Sequence, residues 1–133
     1  MTMTIKTNPG LLGFEEISTY SLQPVPSNPY FFWLESTEEE GPSFVITKPK
    51  FFFPDYIVQV KRDSLANLEI EEKEPEVYLI VTVPEKTGDM TANLLAPLFI
   101  NAETGLACQI VLQETSYTTK HYLFPPEKRR NCG

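Results

Sequence analysis

The chain has 133 residues, 41% of them hydrophobic, which is one domain's worth and enough to close a core. That composition excludes a wholly disordered chain, and 12 prolines favour strands and turns over long helices. Eleven basic residues against 18 acidic ones leave a net charge of −7, the wrong sign for a protein that must meet phosphates.

Residues 1–7 alternate weakly and read as a first strand, followed by turn signals at Pro9-Gly10 and Gly13. Residues 18–22 form a short strand candidate ended by Pro24 and Pro26. Residues 30–34, Tyr-Phe-Phe-Trp-Leu, are dense in strand formers. Glu38-Glu39-Glu40-Gly41-Pro42 is a solvated turn, because three like charges cannot pack together. Residues 43–47 form the next strand, stopped by Pro49. Residues 56–60 follow Pro54 and place Tyr56, Val58 and Val60 on one strand face. Residues 63–68 are the one good helix candidate, with Asp63 or Ser64 as its cap and Leu65 and Leu68 three apart.

Residues 69–76 hold five glutamates and one lysine and read as a solvated acidic loop. Residues 77–83 are the strongest strand, apolar on both faces and therefore central. Residues 91–100 and 108–113 give two more strands, joined by a turn at 101–105. The tally is about eight short strands and one short helix. The expected fold is all-β, a small β-barrel-like single domain over 1–123, with a flexible tail over 124–133.

Catalytic chemistry finds little support. His121 is the only histidine, and no Gly-x-Ser-x-Gly elbow accompanies it. Cys108 sits in an apolar run and Cys132 near the end, which suits one buried and one loose thiol and makes neither a disulfide framework nor a zinc site. The glycines are scattered, so no phosphate loop is formed. No apolar run approaches the roughly 20 residues of a membrane span, and the start lacks a signal-peptide core. A cytoplasmic protein without metal, cofactor or catalytic residue is expected.

Two segments stand out. Phe51-Phe52-Phe53-Pro54-Asp55-Tyr56 places three phenylalanines in a row, which one strand cannot turn toward one core. Exposed aromatics of this kind anchor protein partners or stack bases. Alternatively the chain bends here and buries all three. Met90-Thr91-Ala92-Asn93-Leu94-Leu95-Ala96-Pro97 carries a proline inside an apolar run, the mark of an edge strand or bulge. A purely structural turn-strand unit explains it equally well.

These segments resemble the FliW flagellar assembly factor family. The family pattern is met by Leu-x-Gly-Phe-Glu at 11–15, Phe-Trp-Leu at 32–34, Phe-Phe-Pro-Asp-Tyr at 52–56 and Thr-Val-Pro-Glu at 82–85. It continues with the octet at 90–97, Ile100-Asn101, the strand at 109–112, and Tyr117 with Lys120-His121. The similarity runs in order from about residue 9 to residue 121. Three departures are visible: a start shorter than in many members, Glu35 where glutamine is common, and Lys120 where arginine is common.

The resemblance implies a small β-barrel-like fold and two protein partners. One is flagellin, bound near its C-terminal helical region. The other is the CsrA dimer, an RNA-binding repressor of flagellin translation. It implies no direct contact with nucleic acid or membrane. A flagellin-only chaperone, and a barrel that binds single-stranded RNA, are the competing readings. The expected contact residues are Phe52, Phe53, Asp55, Tyr56, Asn93, Leu94 and Leu95, with Glu71, Glu72 and Glu74 of the acidic loop facing CsrA. A core role for the same motif residues is the alternative.

Overall fold

The structure, a computed structural model, describes residues 2–7, 9–38, 40–71 and 73–131. Four strand-forming segments lay down an antiparallel meander, with a long connection between the first two: β1 (Met3–Thr7), β2 (Thr19–Val25), β3 (Asn28–Ser36) and β4 (Ser43–Thr47). A single helical turn, α1 (Pro49–Phe52), and a 3₁₀ helix (Arg62–Leu68) precede β5 (Glu76–Thr82). The chain then gives a 3₁₀ turn at Thr87–Asp89, β6 (Thr91–Ala92), β7 (Leu98–Ile100), β8 (Leu106–Gln109), β9 (His121–Tyr122) and α2 (Pro126–Asn131).

Seven strands close into a barrel in the order β4-β3-β2-β1-β8-β7-β5, with β5 returning to β4. The β1–β8 pairing is parallel and the other pairings are antiparallel. One edge of β5 is shared. Residues Glu76, Val77 and Tyr78 pair with β7, and Val81 and Thr82 pair with β6, which carries β9 outside the barrel. Among the described residues no helix is long and apolar enough to cross a membrane.

The core has three parts. Ile5, Tyr20, Leu22, Leu34, Ile46 and Leu98 fill the barrel interior. On the outer face, Phe31, Leu79, Val81 and Leu94 lie under Phe52, Phe53 and Tyr56. Elsewhere, Phe99 and Cys108 lie under Leu65 and Leu68 of the 3₁₀ helix. This explains why β5 is apolar on both faces: Tyr78 faces the barrel, while Leu79 and Val81 face an outer layer. Cys108 is free and buried, and burial pushes its thiol pKa up to about 11. Cys132 lies outside the described residues.

Two junctions tie the barrel together. Asn101 is buried, donates from Nδ2 to the Leu68 carbonyl at 2.8 Å and so locks the 3₁₀ helix to the β7–β8 turn. Gly105 ends that turn at φ +82°, donates its N–H to the Asn101 carbonyl at 2.8 Å and accepts the Lys6 N–H at 2.9 Å.

Tyr20 is fully buried, and its hydroxyl has no hydrogen-bond partner among the described residues. Burial first, and the Glu38 charge second, raise its pKa. An unpaired buried hydroxyl costs stability, so Tyr20→Phe is expected to leave a thermal melt unchanged or to stabilise by about 1 kcal/mol. A loss of that size instead would reveal a partner.

Several elements differ from the sequence reading. β2 runs through Pro24, which is tolerated because β1 reaches only as far as Leu22; the register shifts just beyond, between Pro24 and Val25. Residues 56–60 keep the predicted inward face but join no strand. The expected single strand at 91–100 is split into β6 and β7 by a turn at 93–97, and the strand expected at 108–113 starts earlier, at Leu106. The helix at 62–68 is 3₁₀, with Lys61 at its N-cap and no side-chain cap from Asp63 or Ser64. Three residues per turn place Leu65 and Leu68 on one buried face. Within the segment 124–133, residues Pro126–Asn131 form α2 and the Phe124 ring meets Phe52 edge-on at 5.8 Å. Despite the short start, β1 is present.

Candidate functional site

The two unusual sequence segments meet in space. Pro49 starts α1 at a position where its missing N–H costs nothing, and the Phe53 N–H closes the turn on the Pro49 carbonyl at 2.7 Å. Pro54 then turns the chain, and the Tyr56 N–H returns to the Phe53 carbonyl at 2.9 Å. Because this is a helical turn and no strand, the rule of alternating faces does not apply. Phe51, Phe52 and Phe53 are all half-buried. Phe51 packs edge-on against Tyr30 at 5.2 Å, and Phe52 stacks on Phe31 at 5.6 Å.

The second segment folds around Asn93. Its Oδ1 accepts the Leu95 N–H at 3.1 Å and the Ala96 N–H at 3.0 Å, while its own N–H donates to the Ile80 carbonyl. Side-chain capping of this kind is what asparagine supplies in turns. Leu94 and Leu95 both donate their N–H groups to the Thr118 carbonyl at 3.1 Å.

One hydrogen bond joins the two turns: the Tyr56 hydroxyl donates to the Leu94 carbonyl at 2.6 Å. Burial, and after it the neighbouring Tyr117, raises the Tyr56 pKa, so the phenol stays a donor. Tyr117 lies 4.8 Å away ring to ring, and its hydroxyl accepts the Ile57 N–H. His121 accepts the Thr118 N–H on Nε2 at 2.9 Å, so that nitrogen is engaged by the backbone.

The result is an aromatic ridge, Phe53-Pro54 with Tyr56, between two clefts of about 360 Å³ each. One cleft is walled by Phe52, Asp55, Leu94, Tyr117 and His121. The other is walled by Lys48, Lys50, Glu76 and Val77. The aromatic ridge and the first cleft suit apolar contact with a partner, while the second cleft adds two lysines and a glutamate. Among the described residues, no group of three or more His, Cys, Asp or Glu side chains is placed to hold a metal.

The expected contact residues are therefore partly united. Phe52, Phe53, Asp55, Tyr56 and Leu94 line one cleft. Leu94 is only 3% exposed and belongs mainly to the core, and Asn93 works inside its own turn. Leu95 is half-buried. The acidic loop lies apart from this cleft. Glu71 and Glu74 are exposed, and Glu72 lies outside the described residues. Arg62 staples the loop: its guanidinium donates to the Glu71 and Lys73 carbonyls at 2.7 and 2.9 Å and lies 3.8 Å from the Glu74 carboxylate. Sequence reasoning did not single out Arg62, since nothing local marks a carbonyl-binding arginine. Tyr117 was visible only as part of the family pattern, and His121 there and as the only histidine.

The FliW protein family profile matches residues 2–123. Flagellar assembly factor FliW of Heliobacterium modesticaldum is 40% identical over 117 residues, covering 87% of this chain and 76% of that protein. The protein of the same name from Geobacillus kaustophilus is 36% identical over 122 residues, covering 91% and 84%. A crystal structure of the flagellar assembly factor FliW superposes with a TM-score of 0.85 at 34% identity, covering 93% of this chain and 87% of the other.

Proposed function

The chain belongs to the FliW family, and from that premise we propose that it acts in flagellar assembly by binding other proteins, without catalysis. One partner is flagellin, held in the cytoplasm near its C-terminal helical region. The other is the CsrA dimer. Flagellin occupies the protein until it is exported, and the freed protein then binds CsrA and lifts its repression of flagellin synthesis. Exclusion of one partner by the other is a mass-action switch.

The observation that carries this reading is the aromatic ridge and its flanking clefts, built from both distinctive sequence segments. The aromatic ridge and the cleft beside Phe52, Leu94 and Tyr117 fit the apolar face of a partner helix. The net charge of −7 supports the CsrA arm, because a protein that holds RNA is basic and is steered by an acidic surface.

Calorimetry with flagellin and CsrA, separately and in competition, tests the proposal. Binding of both with mutual displacement is the expected result. Binding of flagellin alone leaves a flagellin chaperone without the regulatory arm, and binding of neither overturns the reading. Phe53→Ala, which removes a half-buried wall side chain and not the Tyr56–Leu94 bond, is expected to weaken at least one partner about tenfold. Unchanged affinity for both in a folded variant would remove the ridge from the interface.

Reversal of Glu71, Glu72 and Glu74 to lysine is expected to weaken CsrA about tenfold at low salt, and progressively less as salt screens exposed charges. An affinity for CsrA that does not vary with salt would exclude the acidic loop from that contact.

A further inference from the structure

Residues 56–60 are extended, with Tyr56, Val58 and Val60 turned inward and Ile57 and Gln59 outward. Val58 and Val60 pack with Ile110 in the layer under the 3₁₀ helix, so side chains hold this segment in place. Its backbone is another matter. Ile57 donates to the Tyr117 hydroxyl, but the backbone of Val58, Gln59 and Val60 makes no hydrogen bond among the described residues.

A second bare edge faces it. Ile110 and Leu112 send their N–H groups to the Pro97 and Leu95 carbonyls. Successive residues of an extended chain direct their backbone groups to opposite sides, so Val111 and Gln113 present theirs away from 95–97. Among the described residues the Val111 carbonyl is met only by the side-chain amide of Gln113 at 3.3 Å. Between the two edges run adjoining openings of about 330 and 370 Å³, which share Gln59, Leu112, Gln113 and Glu114.

We propose that this slot receives an extended, net-basic segment of another protein, added as a strand along the 111–113 edge. Backbone groups supply the pairing, and Ile57 and Val111, 65% and 41% exposed, supply apolar contact for alternate side chains. At the slot itself Glu114 and Lys61 offset each other, so the charge of −7 on the whole chain is what favours a basic segment and disfavours a second copy of this chain. The slot adjoins the ridge-side cleft at Tyr117, which lines both, but its pairing edge at 111–113 lines neither cleft and does not depend on which partner those take.

The test uses a short capped peptide of alternating lysine and valine and a version of equal charge N-methylated at alternate residues, with amide resonances of the full chain as readout. The unmodified peptide is expected to shift Gln59, Val111 and Gln113, and N-methylation to weaken it at least tenfold, because it removes backbone donors while keeping charge. Val111→Pro deletes an N–H that bonds nothing among the described residues, so it is expected to keep the melting temperature and lose the peptide. Equal binding of both peptides, or shifts confined to residues 69–76, would reduce the effect to charge attraction and overturn the proposal. So would concentration-dependent dimerisation through the same resonances, which would make a second copy the occupant. None of these readouts involves flagellin or CsrA, so failure here leaves the binding proposal above standing.

Discussion

Gly105→Ala is expected to destabilise the protein by about 3 kcal/mol or more, seen as a fall of roughly 12 °C in melting temperature. Two separate costs add. The first is conformational: Gly105 has φ +82°, where a side chain is strained by about 1–2 kcal/mol. The second is steric: a Cβ there would lie 2.1 Å from the Thr4 carbonyl oxygen, so the β1 backbone would have to retreat. That retreat pulls on the Lys6 to Gly105 hydrogen bond beside the only parallel pairing in the barrel. Gly13 separates the two costs, since it has φ +86° but nothing within 4 Å of its Cβ position. Gly13→Ala is therefore expected to cost about 1 kcal/mol. Equal losses at both positions would show that the close approach of β1 contributes nothing.

Asn93→Ala is expected to cost about 2 kcal/mol, or roughly 8 °C in melting temperature, and to loosen the candidate site. The substitution leaves the Ala96 N–H without its acceptor and reduces the Leu95 N–H to one acceptor, the Thr118 carbonyl. The turn they hold also presents the Leu94 carbonyl to Tyr56, so the 52–56 ridge loses its fixed neighbour. Asn93→Asp keeps an oxygen at the same place and is expected to retain most of the stability. A variant with aspartate as unstable as the alanine variant would mean that the side-chain oxygen is not what holds the turn.

Alternation and turn residues made most of the barrel legible in the sequence. The strand around Tyr20 follows from apolar residues at every second position, and those around Leu34 and Ile46 from runs of aromatic and β-branched residues bounded by prolines and glycines. The apolar run of β5 correctly marked it as central, because it is covered on both faces. What failed was partner choice. Residues 56–60 carry a strand's alternation, yet burial of Val58 and Val60 needs only a surface to lie on, and periodicity says nothing about a neighbour for the backbone. Asn93 and Pro97 sit in an apolar stretch that reads as one strand, and only the three-dimensional turn shows that they divide it. The three phenylalanines escaped the strand rule because Pro49 had already committed the chain to a helical turn. At the site, the motif residues were found, but their division between wall and support was not. That division depends on which side of a turn each side chain leaves, as Leu94 and Asp55 illustrate.

The parallel contact of β1 with β8 joins Lys6 to Leu106, across most of the chain. During synthesis the amino-terminal meander can form as soon as its hairpins emerge, but the ring stays open until residue 107 has left the ribosome. Until then β1 offers a bare edge. Loop closure over so long a separation places this protein among slow, high-contact-order folders, with barrel closure as the late step. A nascent chain shorter than that length exposes two sheet edges, at β1 and at β7, to any strand-forming neighbour.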